Sequence, residues 1–433
     1  MLGARRKKAD LDFRGISVKI TVVYQYYQGH NAPGHSLVYE LTQHLAIDHD
    51  VSVVSGEAGY MDRTLNPMPW YRRLFRKEQD GAVQVLRTYT YVEKKRNVLG
   101  RILNFISFSI SCPLGLLSIR KPDIVLASSP PLMPMFTAAL VCKLRRIPFV
   151  IEVRDLWPSS AVEMGVLRNR KMISLMSWME RFLYDHSNVI VALTEGIRKD
   201  IVDRGWPSEK VEVVTCGVDF DRLHPDAQGR QEVRARHGWH GKTIIMYFGA
   251  LGVANNMTVI LEAAKRLENR DDLLFVLVGD GAKKKETLEC MAAERLSNVQ
   301  VLNPVPKDEA RHYLSAADIG LTTLLDIPLF HGAIPTKLLD YMACSLPVLC
   351  GIRGEAEQIM EQGRAGYCFE PNDSEALAAL VDQLAQSPEK RAAMGEAGLT
   401  YVRQHFSAAA SREKMVRILL GAPERRPAKR VKS

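Results

Sequence analysis

Residues 242–268, KTIIMYFGALGVANNMTVILEAAKRLE, read as a β-strand, a turn marked by Gly249 and Gly252, and a helix. Strands follow in LLFVLVGDG, NVQVLNPV, ADIGLTTL and LPVLCG, so this stretch opens a parallel α/β unit of its own. The same grammar has already run once upstream. VKITVVY at 18–24 leads through a loop with Gly29, Pro33 and Gly34 into the helical SLVYELTQHLA and the strand DVSVVSG. PDIVLASSPPLMP, a helix ending near Arg146, PFVIEVRD, NVIVALTEGIRKDI and KVEVVTCGVD continue it. The chain is thus expected to form two doubly wound, Rossmann-like parallel-sheet domains facing across a cleft, where the carboxyl ends of the strands bind ligands. The expected limits are a basic extension over 1–15, a first domain over 16–220 and a linker over 221–241. A second domain over 242–399, a helix over 400–421 crossing back to the first domain and a basic tail over 422–433 complete them.

Composition agrees with a folded, soluble chain. Of 433 residues 46% are hydrophobic and 25% charged, which excludes disordered and fibrous classes and leaves room for two or three domains. Lys and Arg outnumber Asp and Glu by 58 to 49. Residues 1–205 hold 29 basic and 19 acidic residues, a net of +10, against 29 and 30 in the remainder, so the first half is the one expected to face an anionic partner. The seven cysteines are scattered, with no Cys-x-x-Cys pair, and read as thiols of a reducing compartment. The basic start, MLGARRKKADLDFRG, continues into Asp10, Asp12 and Arg14 rather than an apolar run, so no signal peptide is read and a cytoplasmic protein is expected.

The 18 uncharged residues 102–119 are slightly short of a bilayer's hydrocarbon core, at ~1.5 Å per residue against ~30 Å. Leu103, Ile106, Ile110, Leu114 and Leu117 form one stripe and Asn104, Ser107, Ser111 and Ser118 a neighbouring one, so the segment reads as an amphipathic helix. It either packs inside the first domain or touches a membrane surface through its basic flanks, Lys94, Lys95, Arg96, Arg101, Arg120 and Lys121. Trp70, Tyr71, Arg72, Arg73, Phe75, Arg76 and Lys77 form a second basic and aromatic cluster suited to anionic lipid.

The most specific motif is GAIPTKLLDYMACSLPVL from Gly332. Pro335, Thr336 and Lys337 build a helix start whose free amides and cation face an anion, and Asp340 lies one turn on, able to accept from sugar hydroxyls. An ordinary capped helix with a surface ion pair is the alternative. Gly249 and Gly252 let backbone amides approach a diphosphate without a Cβ in the way, with a plain strand-to-helix turn as the alternative, and they lack the third glycine of a dinucleotide fingerprint. Arg154 and Asp155 end a strand facing the expected cleft; the alternative is an Arg–Asp pair locking the Trp157-Pro158 turn. Asp-x-Asp patterns at Asp10/Asp12, Asp48/Asp50 and Asp219/Asp221 close no strand at a nucleotide site, so no metal is expected.

On these residues the chain resembles the retaining glycosyltransferases of family 4, which have the two-domain GT-B fold. That family carries two glutamates eight positions apart before the helix; here Asp340 matches the second and Gly332 stands at the first. Ser128-Ser129-Pro130-Pro131, the run EVRDLWPSS from Glu152, and Gly217-Val218-Asp219 resemble the branch that adds N-acetylated, often deoxy, sugars to bacterial lipid-linked saccharides, such as L-fucosamine transferases. Val278-Gly279-Asp280-Gly281 resembles its nucleotide-domain loop. The resemblance implies a UDP-sugar donor held by Gly249, Gly252, Lys284, Pro335, Thr336, Lys337 and Asp340, with Lys337 the main phosphate cation because Val253, Ala254, Asn255 and Asn256 replace the relatives' Arg and Lys. It places Arg154 where many relatives carry a histidine, makes Arg154, Asp155 and Lys337 the catalytic set, and puts Gly34 and His35 beside the acceptor. It further implies a metal-independent, cofactor-free enzyme at the inner face of the plasma membrane. Its acceptor is a polyisoprenyl-diphosphate-linked saccharide of O-antigen, capsule or exopolysaccharide synthesis, and no nucleic acid takes part. Loss of both the histidine and the first glutamate fits a 6-deoxy donor. A UDP-N-acetylsugar 2-epimerase on the same fold and a non-catalytic nucleotide-sugar-binding partner of an assembly complex are the alternatives.

Overall fold

The computed structural model describes residues 17–29, 37–57, 74–92 and 98–430. The apolar runs form β1 (Lys19–Val23), β2 (Asp50–Ser55), β3 (Phe75–Asp80), β4 (Val83–Thr88), β5 (Ile124–Ser129), β6 (Phe149–Val153), β7 (Val189–Ala192) and β8 (Val211–Val213), an eight-stranded sheet in the order β3-β4-β2-β1-β5-β6-β7-β8. A second sheet, in the order β11-β10-β9-β12-β13-β14, contains β9 (Thr243–Phe248), β10 (Leu273–Val278), β11 (Val299–Leu302), β12 (Ile319–Thr323), β13 (Val348–Gly351) and β14 (Gly366–Cys368). Its pairings are parallel throughout, as are β1–β2, β1–β5, β2–β4 and β7–β8. Both domains are thus Rossmann-like parallel α/β structures, as the strand runs imply.

One edge departs from the expected pattern. Phe75, Arg76 and Lys77 begin β3, which pairs antiparallel with β4 around Gly81 at φ +60°. An alternating, charged edge strand carries no apolar run to betray it. Trp70, Tyr71, Arg72 and Arg73 lie outside the described residues.

Packing defines two compact units. The first contains Met1–Ile151, His186–Val189 and Val416–Ala428. Within it the Val98–Ser118 helix turns its polar stripe inward: Asn104 accepts from Gln25 Nε2 at 2.7 Å, Ser107 Oγ accepts from Tyr91 N at 2.8 Å, and Ser111 Oγ donates to Tyr89 O at 2.6 Å. A Cβ on Gly115 would approach Thr88 to 2.8 Å, so the helix rides close on β4. Ile106, Ile110, Leu114 and Leu117 are left exposed, Ile110 by 64%. By length and composition, Gly100–Ser118 is sufficient to cross a membrane, with 39% of it buried.

The second unit contains Glu152–Asp185, Ile190–Met415 and Lys429–Ser433. Alternation along β9 sends Ile244 and Met246 to a core with Trp239, Tyr341 and Met342, and Ile245 and Tyr247 to a core with Ile260, Phe275 and Leu277. Each such buried side chain contributes about 1.5–3 kcal/mol. Within the stretch expected to link the domains, Ala227–His237 is a helix capped by Asp226 and tied down by Arg230 and Arg234 on Asp318. The helical stretch expected after residue 400 is broken. Helices Pro388–His405 and Ala408–Gly421 part where Val218 N bonds Phe406 O at 2.8 Å and Ala408 N bonds Val218 O at 3.0 Å.

Candidate active site

Strand order in the second sheet reverses between β9 and β12, which neighbour one another there. Ligands of open parallel sheets bind beyond the carboxyl ends of strands at such a point. Gly249 follows β9 directly, at φ +145°, and its amide bonds Val278 O at 2.9 Å. Gly279, at φ +156°, packs against it so closely that a Cβ there would lie 1.9 Å from Gly249 O, and a Cβ on Gly281 would lie 2.3 Å from Leu251 O. These two glycines carry the steric constraint. Gly252 has more room, with the nearest atom to a Cβ being Asn255 Nδ2 at 3.3 Å.

Lys337 reaches this turn from the first turn of the Thr336–Ala343 helix, capped at its start by the backbone of Pro335. A Cβ on Gly249 would be 3.4 Å from Lys337 Cε, so glycine there leaves space for the lysine stem. Lys337 Nζ donates to Tyr247 OH at 2.5 Å and to Asn255 Oδ1 at 3.1 Å, and sits 3.9 Å from the Tyr247 ring centroid. Tyr341, one helix position beyond Asp340, accepts from Phe248 N at 2.8 Å and donates to Leu321 O at 3.1 Å, which ties the end of β9 to the middle of β12. Thr336 is exposed.

Lys337 and Asp340 keep part of their surface but are recessed among protein atoms, and loss of water dominates both. Desolvation pushes Lys337 down to about 7 although Asp340 pulls the other way. It pushes Asp340 up to about 7 although Lys307 and Lys337 oppose it. The pair is thus poised between neutral and ionic forms and draws a compensating charge from whatever binds beside it.

Arg154 and Asp155 follow β6, but they do not pair with each other. Arg154 forks onto buried Glu152, Nε to Oε2 at 2.9 Å and Nη2 to Oε1 at 3.2 Å, while Asp155 accepts from Ser160 Oγ at 3.0 Å. The alternative of an Arg–Asp lock is therefore replaced by an Arg–Glu fork, reached because residues 152 and 154 share one side of the extended chain. Burial raises the Asp155 carboxyl. The Cys216 thiol is pushed up to about 11, first by burial, with Arg154 opposing and Glu152 and Asp340 adding to the rise. Cys216 thus marks where Arg154 and Asp340 come into one neighbourhood.

Gly332 has a structural cause. Its backbone meets the start of the Glu195–Asp203 helix, where a Cβ on Gly196 would lie 2.2 Å from Gly332 Cα and one on Gly332 would lie 2.9 Å from Gly196 Cα. Thr194 Oγ1 accepts from Ile197 N at 3.1 Å and donates to Gly332 O at 2.6 Å. The anionic group at this helix start is Glu355, whose carboxylate accepts from Glu195 N at 3.0 Å and Gly196 N at 2.9 Å.

Lys284 opens the Lys284–Ala293 helix and donates to Asn303 Oδ1 at 2.7 Å. Gly34 and His35 lie outside the described residues. Tyr247, Lys307, Cys216 and Glu355 were missed from sequence because each earns its place through a residue distant in the chain, whereas Glu152 was passed over although it stands two residues from Arg154. Among the described residues, no group of three or more His, Cys, Asp or Glu side chains is placed to hold a metal ion.

Residues 35–222 match the family Glycosyltransferase Family 4, and residues 229–400 match Glycosyl transferases group 1. A probable glycosyltransferase of Pseudomonas aeruginosa, WbjE, is 24% identical over 68% of this chain and 74% of its own length. The putative colanic acid biosynthesis glycosyl transferase WcaI of Escherichia coli is 26% identical over 72% of this chain and 79% of its own. Among solved structures, Anabaena HepE in complex with UDP and glucose superposes with a TM-score of 0.70 at 15% identity, over 93% of this chain and 99% of its own. The α,α-trehalose 6-phosphate synthase of Burkholderia multivorans gives 0.70 at 14% identity, over 94% and 99%. Two parallel-sheet domains, a recessed lysine and carboxylate at the switch point of the second, and these matches agree: the chain carries the family 4 and group 1 domains of a GT-B glycosyltransferase.

Proposed function

We propose that the chain is a retaining, metal-independent glycosyltransferase that moves an N-acetylated, 6-deoxy sugar from UDP to a polyisoprenyl-diphosphate-linked saccharide in bacterial surface polysaccharide synthesis. The observation that carries the donor is the desolvated Lys337–Asp340 pair beside Gly249 at the β9–β12 switch point. A half-neutralised lysine at a helix start without a side-chain cap suits a diphosphate, each charge-assisted bond contributing roughly 1.5–3 kcal/mol. The superposing Anabaena HepE structures are complexes of that protein with UDP and glucose and with UDP-glucose, which supports the same donor class here.

In the proposed reaction the bond from the anomeric carbon to the β-phosphate oxygen breaks, and the acceptor hydroxyl forms its bond on the same face. Its proton passes to the departing phosphate oxygen, and UDP leaves. Lys337 and the amides after Gly249 stabilise the negative charge that develops on the leaving diphosphate. Asp340 accepts from donor hydroxyls, and Arg154 and Asp155 border the sugar. Gly332 and Arg154 supply fewer hydroxyl-binding groups than the family pair would, which favours a deoxy sugar. The exposed stripe Ile106, Ile110, Leu114 and Leu117 with Arg101 and Arg120 at its ends supports a peripheral position on the cytoplasmic face of an anionic membrane.

The test incubates purified protein with a panel of UDP-sugars, with and without membrane lipid extract. UDP release that requires the extract, with the donor's anomeric configuration kept in the product, is the expected result. An isomerised donor without acceptor, or the best turnover with a 6-hydroxy sugar, refutes the corresponding part of the proposal.

A further inference from the structure

The Arg170–His186 helix presents its apolar side outward. Its inner face carries Glu180, Leu183 and Tyr184, all at most 2% exposed, and Glu180 is tied to Arg204 by a two-pronged ion pair. On the outer face Lys171, Leu175, Trp178 and Phe182 succeed one another at spacings of four, three and four, with Met172 beside them. Met172 is 41% exposed, Leu175 46% and Trp178 51%, and Val166 just before the helix is 66% exposed. A core helix would bury these side chains and turn its charges out.

Cations dominate the charges along the stripe. Arg168, Arg170, Lys171 and Arg181 are exposed, whereas Glu180, the one carboxylate between them, is buried and paired; exposed Glu163 precedes the patch and half-buried Asp185 follows it. Large apolar side chains with a tryptophan, flanked by four exposed cations, complement a surface that is apolar inside and anionic at its edge. A patch for an acidic protein would not need a row of Leu, Met, Trp and Phe, and one for a neutral protein would not need the cations.

We propose that this helix lies on an anionic bilayer, its Leu175–Trp178 stripe entering the headgroup boundary and Arg168, Arg170, Lys171 and Arg181 meeting lipid phosphates. It stands on different residues from the Ile110–Leu114 stripe, and it rests on the membrane part of the proposed function but not on sugar transfer.

The test is co-flotation of the purified full-length protein with phosphatidylcholine vesicles containing or lacking about a third phosphatidylglycerol, a fraction that gives the surface a negative potential. Wild type is expected to float with the anionic vesicles. Leu175→Ser with Trp178→Ser is expected to lower its partition by about tenfold or more while melting with wild type. Should that variant unfold, Arg170→Glu with Lys171→Glu, which alters exposed groups only, must give the same loss. Unchanged partition in the folded variants overturns the inference, as does wild type that ignores anionic vesicles. Sedimentation of wild type as a dimer that Leu175→Ser with Trp178→Ser dissolves also overturns it, assigning the stripe to a second copy. A chain that binds vesicles through this helix but releases no UDP refutes the transfer reading alone, and one that still binds anionic vesicles when the folded stripe variants are used refutes this inference alone. One that transfers sugar but ignores vesicles refutes this inference together with the membrane part of the proposed function.

Discussion

The half-neutral lysine of the site makes the affinity for UDP depend on pH in a direction the structure specifies. In the free protein burial pushes Lys337 down to about 7. A diphosphate beside it restores the proton, so binding above that pH takes up one proton per UDP. If the bound lysine returns near its ordinary value, the protonated fraction available in the free protein falls from about half at pH 7 to about one part in a hundred at pH 9. The apparent affinity then drops about fiftyfold, roughly 2.3 kcal/mol. Isothermal titration of UDP across that range, in two buffers of different ionisation enthalpy, reads both the drop and the proton uptake. Lys337→Met removes the effect: its affinity is expected to be flat in pH and about 10–100-fold weaker than wild type near pH 7. The variant should fold, because a lysine whose folded value is lowered costs stability below that value and regains it only as pH rises toward the unfolded value. Asp340→Asn takes away the neighbouring anion that holds the lysine value up, so its affinity loss should begin at lower pH. Wild-type affinity that is level from pH 7 to pH 9, or Lys337→Met binding within threefold of wild type near pH 7, refutes the reasoning.

Other outcomes follow from the same geometry. Gly332→Glu, which reinstates the family's first carboxylate, should lower the melting temperature and not raise turnover, because its Cβ meets Gly196 Cα at 2.9 Å; a stable, faster variant would show that this contact yields freely. Glu355→Ala leaves the Glu195 and Gly196 amides without their acceptor and should cost about 1–3 kcal/mol in urea unfolding, whereas a midpoint matching wild type would mean that water replaces the carboxylate at no cost. Gly279→Ala should destabilise by about 2 kcal/mol or more and weaken UDP binding, since a Cβ would press on Gly249 O; calorimetry reads both. In native thiol labelling followed by peptide mapping, exposed Cys290 should react first and Cys112, buried with its thiol pushed well up, last; the reverse order would contradict the packing of the Val98–Ser118 helix.

The order of strands and helices was readable along most of the chain, since runs such as Thr243–Phe248 and Leu273–Val278, apolar but for Thr243 and bounded by turn residues, fit buried parallel strands. The edge strand Phe75–Asp80 and the short Gly366–Cys368 were not readable, the first because all but one of its residues are polar or charged and the second because three residues carry no pattern. Periodicity also found the two stripes of the Val98–Ser118 helix but assigned them no direction. The polar stripe turned inward because Tyr89 O, Tyr91 N and Gln25 supply hydrogen bonds that its hydroxyls and amide meet at close range.

For the site, local sequence placed Lys337 and Asp340 one turn apart at a helix start and put glycines after β9, because those relations span a few residues and depend only on helix and turn geometry. It could not show that Lys337 rests on Tyr247 and Asn255, that Gly279 presses on Gly249, or that Arg154 is held by Glu152 instead of Asp155. Nor could it show why residue 332 has no side chain: the reason is a helix start more than a hundred residues earlier, packed against it backbone to backbone. Local propensity travels along the chain over one or two turns. Desolvation and close contact depend on which distant segments the folded sheets bring side by side, and only the folded chain decides that.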